Sequence, residues 1–300
     1  MQIKLFSKQT RIIENQFPSV ILKGIGQIML QESVYTGLLF LIGIFYGSLE
    51  MGIAVLLASC CGTITARVLK YDKIEIAQGI YGFNAALVGA GLAFYFKPVL
   101  VLWLAVVIGS ILAVVIQHWF NRKRIPVYTL PFILVCWFFI YILENVFLAP
   151  RTVSLNTVID SKPYAVFALR GFGQVIFQES LFAGVVFFIG VFVSSPIRAV
   201  YGLFGGLAAG FIAAFYNAST QEIMMGLFSY NAVLCAIVFA GNRVINIVWT
   251  FIAVVLSVFI GFTMNNYHFI PLTFPFVAAT CTVLIMQKLL SKYFSFKTYP

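Results

Sequence analysis

The chain has 300 residues, of which 62% are hydrophobic and only 9% are charged, and its formal net charge is +10. Soluble domains carry about 25% charged residues, and a mean hydropathy of +1.01 leaves too little polar surface to cover a water-facing globule. The composition therefore excludes a soluble enzyme, a nucleic-acid-binding protein and a disordered chain, and it predicts an all-α polytopic membrane protein in a lipid bilayer.

Ten apolar runs are candidates to cross a bilayer, for which a helix needs about 20 residues. The first five lie near 34–49, 51–69, 79–96, 98–119 and 126–149, and the next five near 181–195, 197–216, 224–240, 244–263 and 271–290. A shorter, glycine-containing stretch precedes each set, at 21–31 and at 165–178, and carries Gln-Glu-Ser at its end. We predict that these two stretches are half-helices that enter the membrane and stop.

The second half of the sequence repeats the first at the spacing that separates Gln27 from Gln174. Gly-Ile-Gly-Gln at 24–27 corresponds to Gly-Phe-Gly-Gln at 171–174, and Thr-Leu-Pro-Phe at 129–132 corresponds to Thr-Phe-Pro-Phe at 273–276 with a three-residue slip. Matches that share one offset and include polar residues indicate a duplication. We therefore expect one membrane domain made of two repeats, residues 1–150 and 151–300.

Each repeat has an odd number of predicted spans, so the second copy is expected to enter the membrane upside down. With the N-terminus in the cytoplasm, most of the 19 Lys and Arg residues fall in cytoplasmic loops, and the outside keeps only Lys97, Arg151, Lys162 and Arg170. This agrees with the positive-inside rule, so both termini are predicted to be cytoplasmic. Inverted repeats place a functional site near the bilayer midplane, where the two copies meet.

Three duplicated pairs of uncharged polar residues are the candidate site: Gln27 and Gln174, Asn84 and Asn231, Thr129 and Thr273. We interpret the Asn pair as structural, because Asn often hydrogen-bonds between membrane helices and can clamp a broken turn. The Gln and Thr pairs are assigned to a pore, in which their oxygens and the free carbonyls of a helix end are acceptors. Glu32 and Glu179 lie nearby, where the half-helices turn.

Apolar side chains at duplicated positions are the candidate walls of this pore. Phe83 and Tyr230 precede the repeated Asn residues, and Leu87 and Leu234 lie one helical turn further on. A narrow, flat, apolar slot would exclude hydrated ions, which could not recover their hydration energy inside it. Buried charges are scarce, which favours an uncharged substrate and uncoupled passage over a coupled carrier.

No cofactor or metal is expected, and the chain is not expected to be an enzyme. The five cysteines lie in apolar runs without the spacing of a zinc or redox site, the two histidines are far apart, and no nucleophile and base are paired. From the residues alone, a channel for another small neutral solute, such as an amide, ammonia or water, stays open as an alternative. So do an ion-coupled carrier and an intramembrane enzyme.

The motifs resemble the urea transporter family, the passive urea channels of bacteria and vertebrates. The motifs that carry the resemblance run from about residue 20 to 290: Gly-x-Gly-Gln at 24–27 and 171–174, Tyr-Gly-Phe-Asn-Ala-Ala-Leu at 81–87, Phe-Ser-Tyr-Asn-Ala-Val-Leu at 228–234, and Thr-x-Pro-Phe at 129–132 and 273–276. The resemblance implies two inverted five-helix halves with one pore helix each, one urea pore per subunit, a homotrimer and a place in the cytoplasmic (inner) membrane.

The resemblance also implies roles for individual residues. Gln27 and Gln174 would belong to a ladder of oxygens, Thr129 and Thr273 would line the middle of the pore, and four residues would form slot walls: Phe83, Tyr230, Leu87 and Leu234. The sequence departs from the family at one of these positions. An aromatic residue often stands three positions after the first Gln in the family, but this chain has Leu30 there, while its second copy has Phe177. It also has Glu-Ser in both copies where Asn-Pro is common, which allows a shift toward urea analogues.

Overall fold

The structure is a computed structural model that describes residues 16–152 and 166–295. The two ends of the chain and the segment 153–165, which includes Lys162, lie outside the described residues. Within the described ranges the chain is helical, and extended pairing is limited to one isolated bridge between Phe96 and Arg151. The predicted all-α class is confirmed.

Several helices of the first half start at local capping signals. Pro18 stands in the first turn of the helix that begins at Phe17, and the Ser33 and Ser48 hydroxyls accept from backbone amides in the first turns of the helices that follow them. A short 3-10 turn, Gln27–Met29, extends the helix that begins at Phe17. The helices are α1 Phe17–Gly26, α2 Val34–Gly47, α3 Leu49–Val68, α4 Lys73–Ala77, α5 Phe83–Tyr95, α6 Leu100–Arg122 and α7 Leu130–Asn145.

The second half repeats this order of long and short helices. They are α8 Val166–Gln174, α9 Leu181–Ser194, α10 Pro196–Phe215, α11 Thr220–Met224, α12 Tyr230–Phe239, α13 Val244–Asn266 and α14 Phe274–Ser295. Unusual backbone conformations recur as well: Leu30 and Phe177 have φ of 62° and 56°, and Gly79 and Gly226 have φ of 78° and 79°. The duplication seen in the sequence is therefore a duplication of backbone geometry.

Five helices of the described chain are long and apolar enough to cross a bilayer by themselves: α3, α6, α10, α13 and α14. The other five predicted spans are shorter helices. The 14 residues of α2, for example, rise about 21 Å, less than the roughly 30 Å of a hydrocarbon core. In the predicted run 79–96 the helix starts only at Phe83, because residues 79–82 form a turn around the left-handed Gly79.

Each predicted half-helix ends in a break rather than continuing into the next helix. Together with its 3-10 extension, α1 meets α2 at an angle of 77°. A bend of this size is found both in a broken membrane span and in a re-entrant loop. The break falls at Leu30, and the equivalent break between α8 and α9 falls around Phe177. The last carbonyls of α1 and α8 therefore lie at broken helix ends inside the protein.

The halves contact each other through α2 and α9 in a reciprocal manner. The Phe40 ring lies 4.9 Å from the Phe187 ring between centroids. A Cβ added at Gly43 would lie 2.5 Å from the Phe187 ring, and one added at Gly190 would lie 2.9 Å from the Phe40 ring. Reciprocal contact of equivalent residues is the signature of a two-fold relation, and it requires glycine at both positions.

Candidate functional site

A cavity of about 630 Å³ opens among α8, α12, α13 and the turn before α14. Four residues predicted for the site line it: Gln174, Phe177, Tyr230 and Thr273. These residues are separated by up to about a hundred positions in the sequence, so only the tertiary structure brings them together. Glu222 and His268 also line the cavity and were not among the predicted site residues.

The two glutamines are held in the same way at the ends of α1 and α8. Gln27 Nε2 donates to the Gln78 carbonyl at 3.1 Å, and Gln174 Nε2 donates to the Met225 carbonyl at 3.1 Å. Because these bonds use the amide nitrogen, the Oε1 atom of each side chain is left as an acceptor. Gln174 lines the cavity.

Two left-handed glycines allow the approach that these amide bonds need. Gly79 and Gly226 have positive φ and follow the carbonyl acceptors directly. A Cβ at Gly226 would lie 2.6 Å from the Gly171 nitrogen, and one at Gly79 would overlap the Gly24 nitrogen. Glycine is required at both positions for conformation and for space.

Thr129 and Thr273 join the halves by a hydrogen bond of 2.6 Å between their Oγ1 atoms. Both residues are 3% exposed, and each stands just before a helix that has Pro in its first turn. A hydroxyl has one donor and two acceptor lone pairs. The shared bond uses one donor, so the pair keeps one O–H donor and spare acceptors for another molecule.

Asn84 and Asn231 brace the turns that carry these threonines. Asn84 Oδ1 accepts from Phe132 N at 3.1 Å, and Asn231 Oδ1 accepts from Phe276 N at the same distance. Their Nδ2 atoms donate to the residue before each threonine, to the Tyr128 carbonyl at 3.0 Å and to the Leu272 carbonyl at 3.3 Å. These contacts support a positioning role for the pair.

The two halves complete this brace differently. In the first half, Asn84 Nδ2 also donates to Gln117 Oε1, and Gln117 Nε2 donates to Asn121 Oδ1 at 2.8 Å. In the second half, the Tyr230 hydroxyl donates to the Leu272 carbonyl at 2.7 Å. Sequence reasoning missed Gln117, although a glutamine within the apolar run 98–119 was a usable signal.

Aromatic residues from both halves form one wall of the cavity. Phe177 stacks on Phe94 with centroids 5.0 Å apart, and Tyr95 lies edge-on to Phe177 at 6.5 Å. Phe94 and Tyr95 were also missed; the aromatic pair at the end of the run 79–96 was the signal for them. Phe83, the expected counterpart of Tyr230, is buried in the core and does not line this cavity.

The remaining predicted residues do not line this cavity. Leu87 and Leu234 are fully buried, and the Leu30 carbonyl accepts from Arg198 Nη1 at 2.9 Å. Glu32 is paired with Lys23 at 3.2 Å. Glu179 is half-buried, and no ion pair involves it among the described residues.

Metal-binding geometry is not found in the described residues, where no three His, Cys, Asp or Glu side chains group together. The five cysteines are free thiols. Uncharged oxygens and aromatic faces therefore make up the chemistry that the predicted residues offer at the cavity.

Comparison with known proteins places this arrangement in a family. The profile described as "Urea transporter" matches residues 19–288. The chain belongs to the urea transporter family. As a member with several membrane-spanning helices, it is an integral membrane protein.

Individual relatives are distant. The chain is similar to mouse urea transporter 1, with 25% identity over 247 residues that cover 75% of this chain and 63% of the relative. It is also similar to sheep urea transporter 1, with 23% identity over 301 residues, 90% of this chain and 77% of the relative. The chain thus spans somewhat less than two thirds of the length of the mouse protein.

Proposed function

We propose that this urea transporter family member carries urea passively through a channel between its two repeats, across the cytoplasmic membrane. One observation carries the proposal: Gln174, Phe177, Tyr230 and Thr273 converge on one cavity. The hydroxyl bond from Thr273 to Thr129 continues that set of polar groups into the other half. Family membership and the names of the relatives support urea as the substrate.

The chemistry of the cavity suits a flat, neutral molecule rich in N–H donors. Urea has four such donors and one carbonyl acceptor. The free Oε1 atoms of Gln27 and Gln174 and the lone pairs of the threonine pair would accept its N–H groups, and the remaining threonine proton would donate to its carbonyl. Each of these hydrogen bonds replaces one that urea made to water, so the free-energy cost of desolvating urea is offset at each step along the pore. No single site needs to bind urea so tightly that it cannot leave.

The walls supply the shape and the ion barrier. The Phe177 face, backed by Phe94, offers a flat surface for the planar solute. Beyond the threonines, we propose that the path continues past Gln27, Phe83 and Leu30, with Leu87 and Leu234 at its narrowest part. Leu87 and Leu234 cannot coordinate an ion, so an ion would lose hydration energy there without compensation.

The orientation and the assembly are part of the proposal. The reciprocal contacts between α2 and α9 support a two-fold relation between the repeats, and the odd number of predicted spans makes that relation an inversion in the membrane. We take the cavity as the outer vestibule, both termini as cytoplasmic and the assembly as a homotrimer. Labelling of single cysteines introduced in loops, and the mass of the purified complex, test these three statements.

Stopped-flow light scattering on proteoliposomes tests the transport itself. Vesicles that contain the protein should respond to an inward urea gradient faster than empty vesicles, equally with or without proton or sodium gradients, and without current. Thr273→Val should slow urea entry, whereas Thr250→Val should not. The buried Thr250 hydroxyl has no hydrogen-bond partner among the described residues, and Thr250 does not line the cavity. Urea entry at the rate of empty vesicles would refute the proposal.

A further inference from the structure

A second cavity, of about 350 Å³, lies where α3 ends and α4 begins. Three cationic side chains line it, together with one phenol and apolar residues: Arg67, Lys70, Lys73, Tyr71, Val20 and Ile76. We propose that this cavity binds a phosphate group, such as that of an anionic lipid headgroup or of soluble phosphate. The proposal is independent of urea transport.

The three cations are free to meet an anion. The ion pairs in the described part of the chain are Lys23 with Glu32 and Arg151 with Glu144, so none of the cations at this cavity is in one. Arg67 is oriented by its contact with the Phe17 ring, whose centroid lies 4.9 Å from the guanidinium carbon. Like charges gathered without a counter-ion repel one another, which a bound anion would relieve.

Asp72 and Glu75, the carboxylates close to these cations in the sequence, are engaged elsewhere. Asp72 Oδ1 accepts from the amides of Ile74 at 2.8 Å and of Glu75 at 3.0 Å, as the cap of α4. The Glu75 carboxylate accepts from the Tyr81 hydroxyl. Neither acid lines the cavity, so the described residues of its wall carry three positive charges and no negative one.

The fourth polar group is a donor as well. Burial raises the pKa of the Tyr71 phenol above its ordinary value, so its hydroxyl is protonated at physiological pH. Tyr71 also stacks on His118, with centroids 3.5 Å apart and planes inclined by 5°. This stacking fixes the position of the Tyr71 ring in the wall of the cavity.

The duplicated half shows that the backbone does not require these charges. At the same offset that relates the repeats, Arg67 corresponds to Ala214, Lys70 to Asn217 and Lys73 to Thr220. The backbone at Lys70 and at Asn217 has the same left-handed φ of 55°, a conformation in which Asn is the more favourable residue. The same fold is thus built without a cation at any of the three places.

Helix dipoles account for only part of the cluster. Arg67 lies in the last turn of α3, where a cation is favourable, but Lys73 is the first residue of α4, where a cation is unfavourable. Basic pockets beside membrane helices on the cytoplasmic side bind anionic lipid headgroups, and the positive-inside rule predicts that this end of α3 faces the cytoplasm. A ligand of opposite charge explains all three side chains together.

Binding can be measured on the purified, delipidated full chain by thermal unfolding and native mass spectrometry. The probes are phosphatidylglycerol, phosphatidylcholine and inorganic phosphate, each titrated separately. A ligand that binds the folded state raises the unfolding temperature in a concentration-dependent way. We expect phosphatidylglycerol to do so and to be retained in the mass spectrum, and phosphatidylcholine to be weaker.

A charge-matched pair of variants assigns the effect to the cavity. Lys70→Gln with Lys73→Gln should weaken phosphatidylglycerol binding about tenfold or more. Lys123→Gln with Arg124→Gln removes the same charge from another loop, at a position that also has a left-handed residue, Arg124 with φ 54°, and should leave binding unchanged. Lys70→Arg with Lys73→Arg keeps the charge and should bind as the unmodified chain does.

The outcomes separate the sources of phosphate. An effect of phosphatidylglycerol alone supports a lipid headgroup, and an equal effect of inorganic phosphate supports a site for the phosphate group itself. The proposal is overturned if neither phosphatidylglycerol nor inorganic phosphate binds. It is also overturned if the variant with Gln at 70 and 73 binds as tightly as the unmodified chain, or if the control variant with Gln at 123 and 124 loses binding to the same extent.

Discussion

We expect the hydroxyl pair of Thr129 and Thr273 to affect stability and urea flux differently. Removing one hydroxyl should lower both quantities, whereas removing both hydroxyls should restore most of the stability and lower the flux further. Thr129→Val keeps the shape of the side chain but leaves the Thr273 hydroxyl, 3% exposed, without its 2.6 Å partner. An unsatisfied buried hydroxyl costs about 1–3 kcal/mol of unfolding free energy, whereas replacing both partners by apolar groups of the same shape is nearly neutral. The double variant should therefore recover most of the stability that either single variant loses.

Urea flux should instead fall at each step. If each hydroxyl contributes one hydrogen bond of about 1 kcal/mol to passing urea, a single variant slows entry roughly fivefold and the double variant roughly thirtyfold. Thermal unfolding in detergent gives the stability, and stopped-flow light scattering of proteoliposomes with matched protein content gives the flux.

Thr250→Val is the control, because it removes a buried hydroxyl that has no hydrogen-bond partner among the described residues. By the same reasoning, its stability should equal or exceed that of the unmodified chain, and its urea flux should stay near the unmodified value. A double variant that transports urea at the unmodified rate would show that the threonines are outside the path. A double variant less stable than both singles would show that the hydroxyls bind other groups more strongly than each other.

Four further substitutions test the rest of the site. Gln174→Leu removes the free Oε1 acceptor together with the Nε2 bond to the Met225 carbonyl, and it should slow urea entry about fivefold or more in the same vesicle assay. A size-exclusion profile like that of the unmodified chain would argue against simple misfolding. Phe177→Ala removes the ring stacked on Phe94 and should raise the entry of bulkier methylureas relative to urea; an unchanged ratio would exclude it from the wall. Gln117→Leu removes the hydrogen bond from Asn84 Nδ2 to Gln117 Oε1 and should lower the unfolding temperature. It should also slow urea entry, because Thr129 would be displaced. A drop in stability without slower entry would mean that this brace does not position the pore. Gly79→Ala should prevent recovery of a monodisperse protein in size-exclusion chromatography, because its Cβ has no space, while Gly261→Ala, whose Cβ meets nothing closer than 3.9 Å, should behave normally.

The sequence was sufficient for properties that depend on local pattern. Apolar runs located the helices, because burial in lipid requires a sustained stretch of apolar residues, and the repeated motifs predicted two halves with equivalent backbone. The predicted run 79–96 erred only at its start, where hydropathy cannot distinguish the turn at Gly79 from the helix that begins at Phe83.

What the sequence could not supply is which polar group meets which. Thr129 and Thr273 bond across the two halves, Gln117 reaches Asn84 in the first half alone, and Phe177 of the second half stacks on Phe94 of the first. The repeat suggested symmetry, yet the braces of the two threonine turns differ and the cavity is lined mainly by residues of one half. Contacts between residues so far apart in the chain are decided by how helices pack, and packing depends on the volumes of all neighbours at once rather than on any local pattern.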